Sequence, residues 1–138
     1  MFDAILTSAI KAMPAFAAQF GVTLLILIGG VLIYRAVTPQ DETRLIRENN
    51  VAAAIAFGAV ILSLALPLAM CLARSVSIAD IVVWGVVALA VQLGTFFVAS
   101  FLFRDLVQRI ERGEAASAVA LGCTPLGVAA INAAAIAG

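Results

Sequence analysis

The side chains of this chain that could carry chemistry are few and scattered. It has eight Asp or Glu, eight Lys or Arg, two cysteines and no histidine in 138 residues, so the commonest general base and metal ligand is missing. Cys71 and Cys123 stand far apart with no second thiol near either. That spacing suits neither metal nor redox work, and both read as small apolar residues. No phosphate loop, nucleotide fingerprint or basic nucleic-acid patch is present. An enzyme, a cofactor, a metal site and a nucleic-acid partner are therefore not expected.

The polar chemistry inside the apolar runs is uncharged. A side-chain amide held away from water is costly unless paired, which makes Gln92 and Asn132 the leading intramembrane polar residues, with Ser63 and Thr124 beside them. They could line a path for a solute, but hydrogen bonding between helices is the simpler role. Pro67 and Pro125 free the carbonyls of Ser63 and Leu121, giving a kink or a local polar spot. With no charge inside the runs, proton coupling is not expected, whereas a passive pore formed by several copies needs none.

The elements that must hold these residues are set by hydropathy. Hydrophobic residues make up 64% of the chain and charged ones 12%, with a mean hydropathy of +1.17, well outside the balance of a soluble domain. The charges are segregated. Residues 12–34, 49–73, 81–103 and 115–138 carry none, and each run exceeds the roughly 20 residues that cross a hydrocarbon core as helix. Strands are excluded because an open sheet edge cannot satisfy its backbone in lipid. The predicted fold is an all-α membrane protein with four transmembrane helices, at about 15–36, 51–73, 81–103 and 115–136. The N-terminal MFDAILTSAIKAMPAFAAQF fits a cleaved leader poorly, given Asp3, the late Lys11 and Pro14. It is expected at the membrane surface or as an extension of the first span, kinked or opened at Pro14.

The chain says one thing twice. IRENNVAAAIAFG at 46–58 returns as IERGEAASAVALG at 110–122, an offset of 64 that also pairs Gly30 with Gly94 and Asp41 with Asp105. Two units follow, 1–73 and 74–138. Each has two spans and so returns to its starting side, which predicts two parallel helical-hairpin repeats about an axis along the membrane normal. Small residues recur four apart in both copies: Ala52, Ala54, Ala56 and Gly58, then Ala116, Ala118, Ala120 and Gly122. Such spacing lets helix backbones approach closely, so the second and fourth spans are expected to pack tightly within one chain or between copies. A homo-oligomer, with membrane lipid around it, is the expected assembly.

In TPQDETRLIRENN, Thr38 is expected to cap a helix that Pro39 opens, with Asp41 and Glu42 in its first turn. The third span is expected to run on through FRDLVQRIERGE, with Asp105 and Arg109 as an i,i+4 pair, until Gly113 breaks it. Arg44, Arg47, Arg109 and Arg112 in these connections are candidates for docking a cytoplasmic or membrane partner, against the simpler role of a solvated rim.

TPQDETRLIRENNVAAAIAFG at 38–58, ALPLA at 65–69, SVSIADIVVWG at 75–85, VQL at 91–93 and INAA at 131–134 together resemble the domain of unknown function 350 family of bacterial inner-membrane proteins. The likeness covers almost the whole chain and rests on Arg47, Asn50, Ala52 to Ala54, Trp84, Gly85, Gln92 and Asn132. It departs where Asn49 stands in place of a frequent glycine and where the second copy has Glu114 in place of Asn50. The resemblance implies a small integral protein of two such units, often encoded near envelope-stress genes, and carries no defined activity.

Arg35, Arg44, Arg47, Arg104, Arg109 and Arg112 lie in the connections after the first and third spans, against Lys11 and Arg74 on the opposite side. Arginine beside a span stays cytoplasmic, which places both termini outside, with Tyr34 and Trp84 as interfacial anchors. A reporter active only outside the cytoplasm, fused after Gly138, is expected to be active; an inactive fusion with an active cytoplasmic reporter at the same point would reverse the orientation.

Overall fold

A computed structural model describes residues 1–138, which form six helices and no strand. They are α1 (Phe2–Val37), α2 (Glu42–Arg47), α3 (Val51–Arg74), α4 (Ile78–Leu102), α5 (Arg104–Glu111) and α6 (Ala115–Ala137). The four long helices are long and apolar enough to cross a membrane. The short α2 and α5 connect α1 to α3 and α4 to α6, at the end of the bundle that carries most of the arginines.

Of the two expectations for the N-terminus, extension holds. The first helix begins at Phe2 and runs unbroken through Pro14 for 36 residues, about 54 Å at 1.5 Å per residue. Residues 1–18 are all exposed. It stops where Pro39 forces the preceding Thr38 into extended backbone, at φ −90° and ψ 128°. Thr38 thus ends α1 and does not cap α2. The cap is Asp41, whose carboxylate accepts from the Arg44 N–H at 3.1 Å, a charged acceptor better matched to a helix N-terminus than a hydroxyl.

The third span does not run on continuously. Phe103, at φ −114° and ψ 45°, separates α4 from α5. The expected Asp105–Arg109 pair does not form; the one ion pair is Arg44–Glu48 at 3.9 Å, with both side chains exposed, and such a contact contributes little. Tyr34 is also not an interfacial anchor. It is buried and packs edge-on against Phe96, with ring centroids 5.2 Å apart. Trp84 remains half exposed on α4.

The corners after α2 and α5 are built alike. Asn49 and Gly113, 64 residues apart, are the two positive-φ residues, at 64° and 90°. After each, the next N–H reaches five residues back, Asn50 to the Leu45 carbonyl at 2.9 Å and Glu114 to the Arg109 carbonyl at 3.0 Å. This ending demands the left-handed conformation that glycine takes freely and asparagine tolerates. Beyond the corners, α1 packs on α3 much as α4 packs on α6, but the likeness is incomplete. Gly30 is buried while Gly94 is exposed, and α3 packs on α4 while α1 and α6 make no comparable contact.

Helix α3 lies at the centre, packed on α1, α4 and α6, and the α3–α6 contact is the most extensive in the molecule. Small residues make it. Ala52, Ala53 and Ala118 are fully buried and close a cluster with Leu45 and Ile110, while a Cβ on Gly122 would lie 2.8 Å from that of Ala59. Only part of the small-residue set packs within the chain. Ala56 and Gly58 are partly covered, whereas Ala54, Ala116 and Ala120 are exposed, because a helix turns 100° per residue and one seam admits only part of a stripe. A second cluster of Tyr34, Val60, Leu64 and Phe96 ties α1 and α4 to α3.

Replacing Gly122 by valine is expected to force α3 and α6 apart at a cost of about 1–3 kcal/mol. Gly94, where an added Cβ meets nothing within 4 Å, should accept alanine without loss. Thermal unfolding of the two variants in detergent checks the contrast, and equal midpoints would contradict the seam.

Candidate functional site

Two polar groupings emerge from the apolar bundle. In the first, Gln92 on α4 is fully buried and its Nε2 donates to the Pro125 carbonyl on α6 at 3.2 Å. Asn132, also on α6, donates back to the Ala88 carbonyl at 3.3 Å and to Gln92 Oε1 at 3.4 Å. The two amides join α4 to α6 and satisfy each other and the backbone, as buried polar groups must. Ser63 is buried too, but its hydroxyl donates to the Ala59 carbonyl of its own helix at 2.6 Å. Thr124 is exposed on α6 and is not brought to the others.

The second grouping lies where α2 and α5 close the bundle. Asn50 is its keystone. Its Oδ1 accepts from the Ala53 N–H at 3.1 Å and caps α3, while its Nδ2 donates to the Ile110 and Glu111 carbonyls at 3.0 and 3.2 Å, closing the end of α5. One amide thus satisfies orphan groups at two helix ends. Gln40 adds a second brace, donating to the Val107 carbonyl at 2.9 Å. Arg44, Arg47, Arg109 and Arg112 sit on α2, α5 and the residue after α5, all exposed.

Beneath this braced end is a cavity of about 360 Å³. Its polar wall includes Tyr34, Gln40, Glu42, Ser100, Arg104 and Gln108, and its apolar wall includes Val60, Phe96, Leu121 and Pro125. Glu42 is only 5% exposed. It accepts from the Tyr34 hydroxyl through Oε1 at 2.6 Å. Burial raises its pKa above the ordinary carboxylate value, with the Tyr34 hydrogen bond and the nearby Arg35 pulling the other way. Sequence reasoning placed Glu42 in a solvated first turn and Tyr34 at the membrane interface. Their meeting depends on how the Pro39 turn folds α2 back over the end of α1, which no periodicity signals. At an offset of 64 the corresponding residues are Val98 and Leu106, so the pair exists once.

Residues 6–136 match the family model described as Domain of Unknown Function (DUF350). The chain belongs to the DUF350 family. It is similar to inner membrane protein YjfL of Escherichia coli strain K12 and to its counterpart in strain O157:H7. Each is 32% identical over 125 residues, which is 91% of this chain and 95% of the relative. No solved structure matches it.

Glu42 gives this DUF350 chain a pH signature. A carboxyl whose folded pKa is raised contributes stability that is fully present below its ordinary value of 4.5 and is lost as pH rises through the shifted value. Unfolding midpoints of wild type and Glu42→Gln, measured in detergent from about pH 4 to 8, are expected to show wild type losing ground to the variant as pH rises. A difference that stays flat with pH would mean that Glu42 is not desolvated.

Proposed function

We propose that this membrane-integral chain is a non-enzymatic module of the inner membrane that self-associates, docks a cytoplasmic or membrane partner through its Arg-bearing end, or does both. The observation that carries the reading is the bracing of that end. Asn50 and Gln40 tie the α2 and α5 segments to each other's unit, so the exposed arginines Arg44, Arg47, Arg109 and Arg112 stand on a preorganised platform. Fixed geometry lowers the ordering cost of binding, and guanidinium groups suit carboxylate or phosphate partners. The inner-membrane placement is supported by the family and by the YjfL relatives. The bacterial orientation with termini outside, the two-repeat organisation of 1–73 and 74–138, and a role in envelope stress belong to the same proposal. The duplicated Asn49 and Gly113 corners support the repeat.

Self-association is supported by α1. At about 54 Å it outruns a hydrocarbon core of roughly 30 Å, and Phe2, Ile5, Leu6, Ile10 and Met13 on its first half find no cover within the chain. A second reading, an oligomeric channel or small-solute carrier, is favoured by the cavity beneath α2 and α5. The Gln92–Asn132 pair does not favour it, because those amides are spent on joining helices.

Replacing Arg44, Arg47, Arg109 and Arg112 by Glu is expected to abolish recovery of a co-purifying partner while leaving membrane insertion intact. Mass measurement of the intact assembly after gentle extraction reads both outcomes: undiminished recovery refutes docking, and a lone single chain refutes self-association.

A further inference from the structure

We infer that the cavity beneath α2 and α5 is a binding site for a primary ammonium group, anchored by the free carboxylate oxygen of Glu42. The inference is independent of whether a partner docks above or a solute crosses the membrane.

Glu42 is 95% covered, yet its carboxylate is only half engaged. Oε1 takes the Tyr34 hydroxyl, and no protein donor reaches Oε2. No inaccessible side-chain oxygen or nitrogen in the molecule lacks a hydrogen-bond partner, so Oε2 keeps accessible surface, and Glu42 is one of the residues that line the cavity. A carboxylate withdrawn from bulk water with one hydroxyl donor and only the exposed Arg35 to offset its charge is incompletely compensated, and that is expensive. A guest that donates N–H and carries positive charge removes that penalty.

The surroundings narrow the guest. About 360 Å³ falls at the small end of the roughly 300–1,000 Å³ typical of ligand pockets, which suits a head-group-sized molecule. Tyr34 and Phe96 supply aromatic surface, to which a cation is drawn, and Ser100 supplies a further acceptor. The nearby charges are Arg35, exposed and on the α1 side, and Arg104, which lines the cavity with its guanidinium 4.6 Å from the Phe101 ring centroid. Arg104 disfavours a bare cation and favours a guest that carries an anionic group as well. Two sources share this chemistry, the ethanolamine headgroup of a membrane lipid and a free zwitterion of amino-acid type. A quaternary nitrogen has no N–H to give Oε2 and should be rejected.

The test uses the full chain in nanodiscs of phosphatidylcholine, doped or not with phosphatidylethanolamine, with bound lipid read by native mass spectrometry. Calorimetric titration with glycine and with its trimethylated form, betaine, covers the free source. Loss of a charge-assisted hydrogen bond amounts to about tenfold or more in affinity. Wild type is expected to prefer the primary amine over its trimethylated counterpart by at least that factor in one arm. Glu42→Gln should erase the preference, while Tyr34→Phe, which keeps the carboxylate, should retain it. A positive lipid arm names the membrane as the source, and a positive glycine arm names a solute. No preference in either arm overturns the inference, as does equal preference in Glu42→Gln. If that variant does not fold, the paired comparison on wild type decides alone.

Discussion

The close approach of α3 and α6 is the constraint on which the rest of this structure depends. Lipid gives helices no hydrophobic reason to meet, so contact must come from packing and hydrogen bonds. Ala52, Ala53, Ala59, Ala118 and Gly122 remove the side chains that would hold the backbones apart. The same closeness brings the ends of α3 and α5 within reach of a single amide, Asn50. At mid-bundle, α6 presents the Pro125 carbonyl and Asn132 to Gln92, so α4 is held by polar bonds to a helix too alanine-rich to grip it by shape.

The two stretches related by the offset of 64 differ at the residues that do the polar work. Asn50 donates and accepts, and so serves two helix ends. Its counterpart Glu114 can only accept when ionised, and it takes the Ser117 hydroxyl at 3.3 Å. Glu42 and Tyr34 correspond at the same offset to Leu106 and Val98, which offer neither an acid nor a phenol. The polar cavity therefore takes its acid and phenol from Glu42 and Tyr34, and Ser100, Arg104 and Gln108 of its polar wall from the later half of the chain.

Residue spacing alone determined the helical class, the four apolar runs, the break at Gly113 and the choice of Gln92 and Asn132 as the leading polar residues. Those follow from chain-local physics: hydrocarbon thickness fixes run length, and the cost of an unpaired amide marks the two polar residues. The capping of α2 by Asp41 and the break at Phe103 were less legible, because several residues compete to cap or interrupt a short helix and only neighbouring segments settle the choice. What the tertiary structure alone decided was which small residues meet at the seam, that the two amides meet each other, and that Tyr34 and Glu42 come together above a cavity. Each depends on the rotation of one helix against another, and that rotation is set by packing across the bundle, which no stretch of sequence encodes by itself.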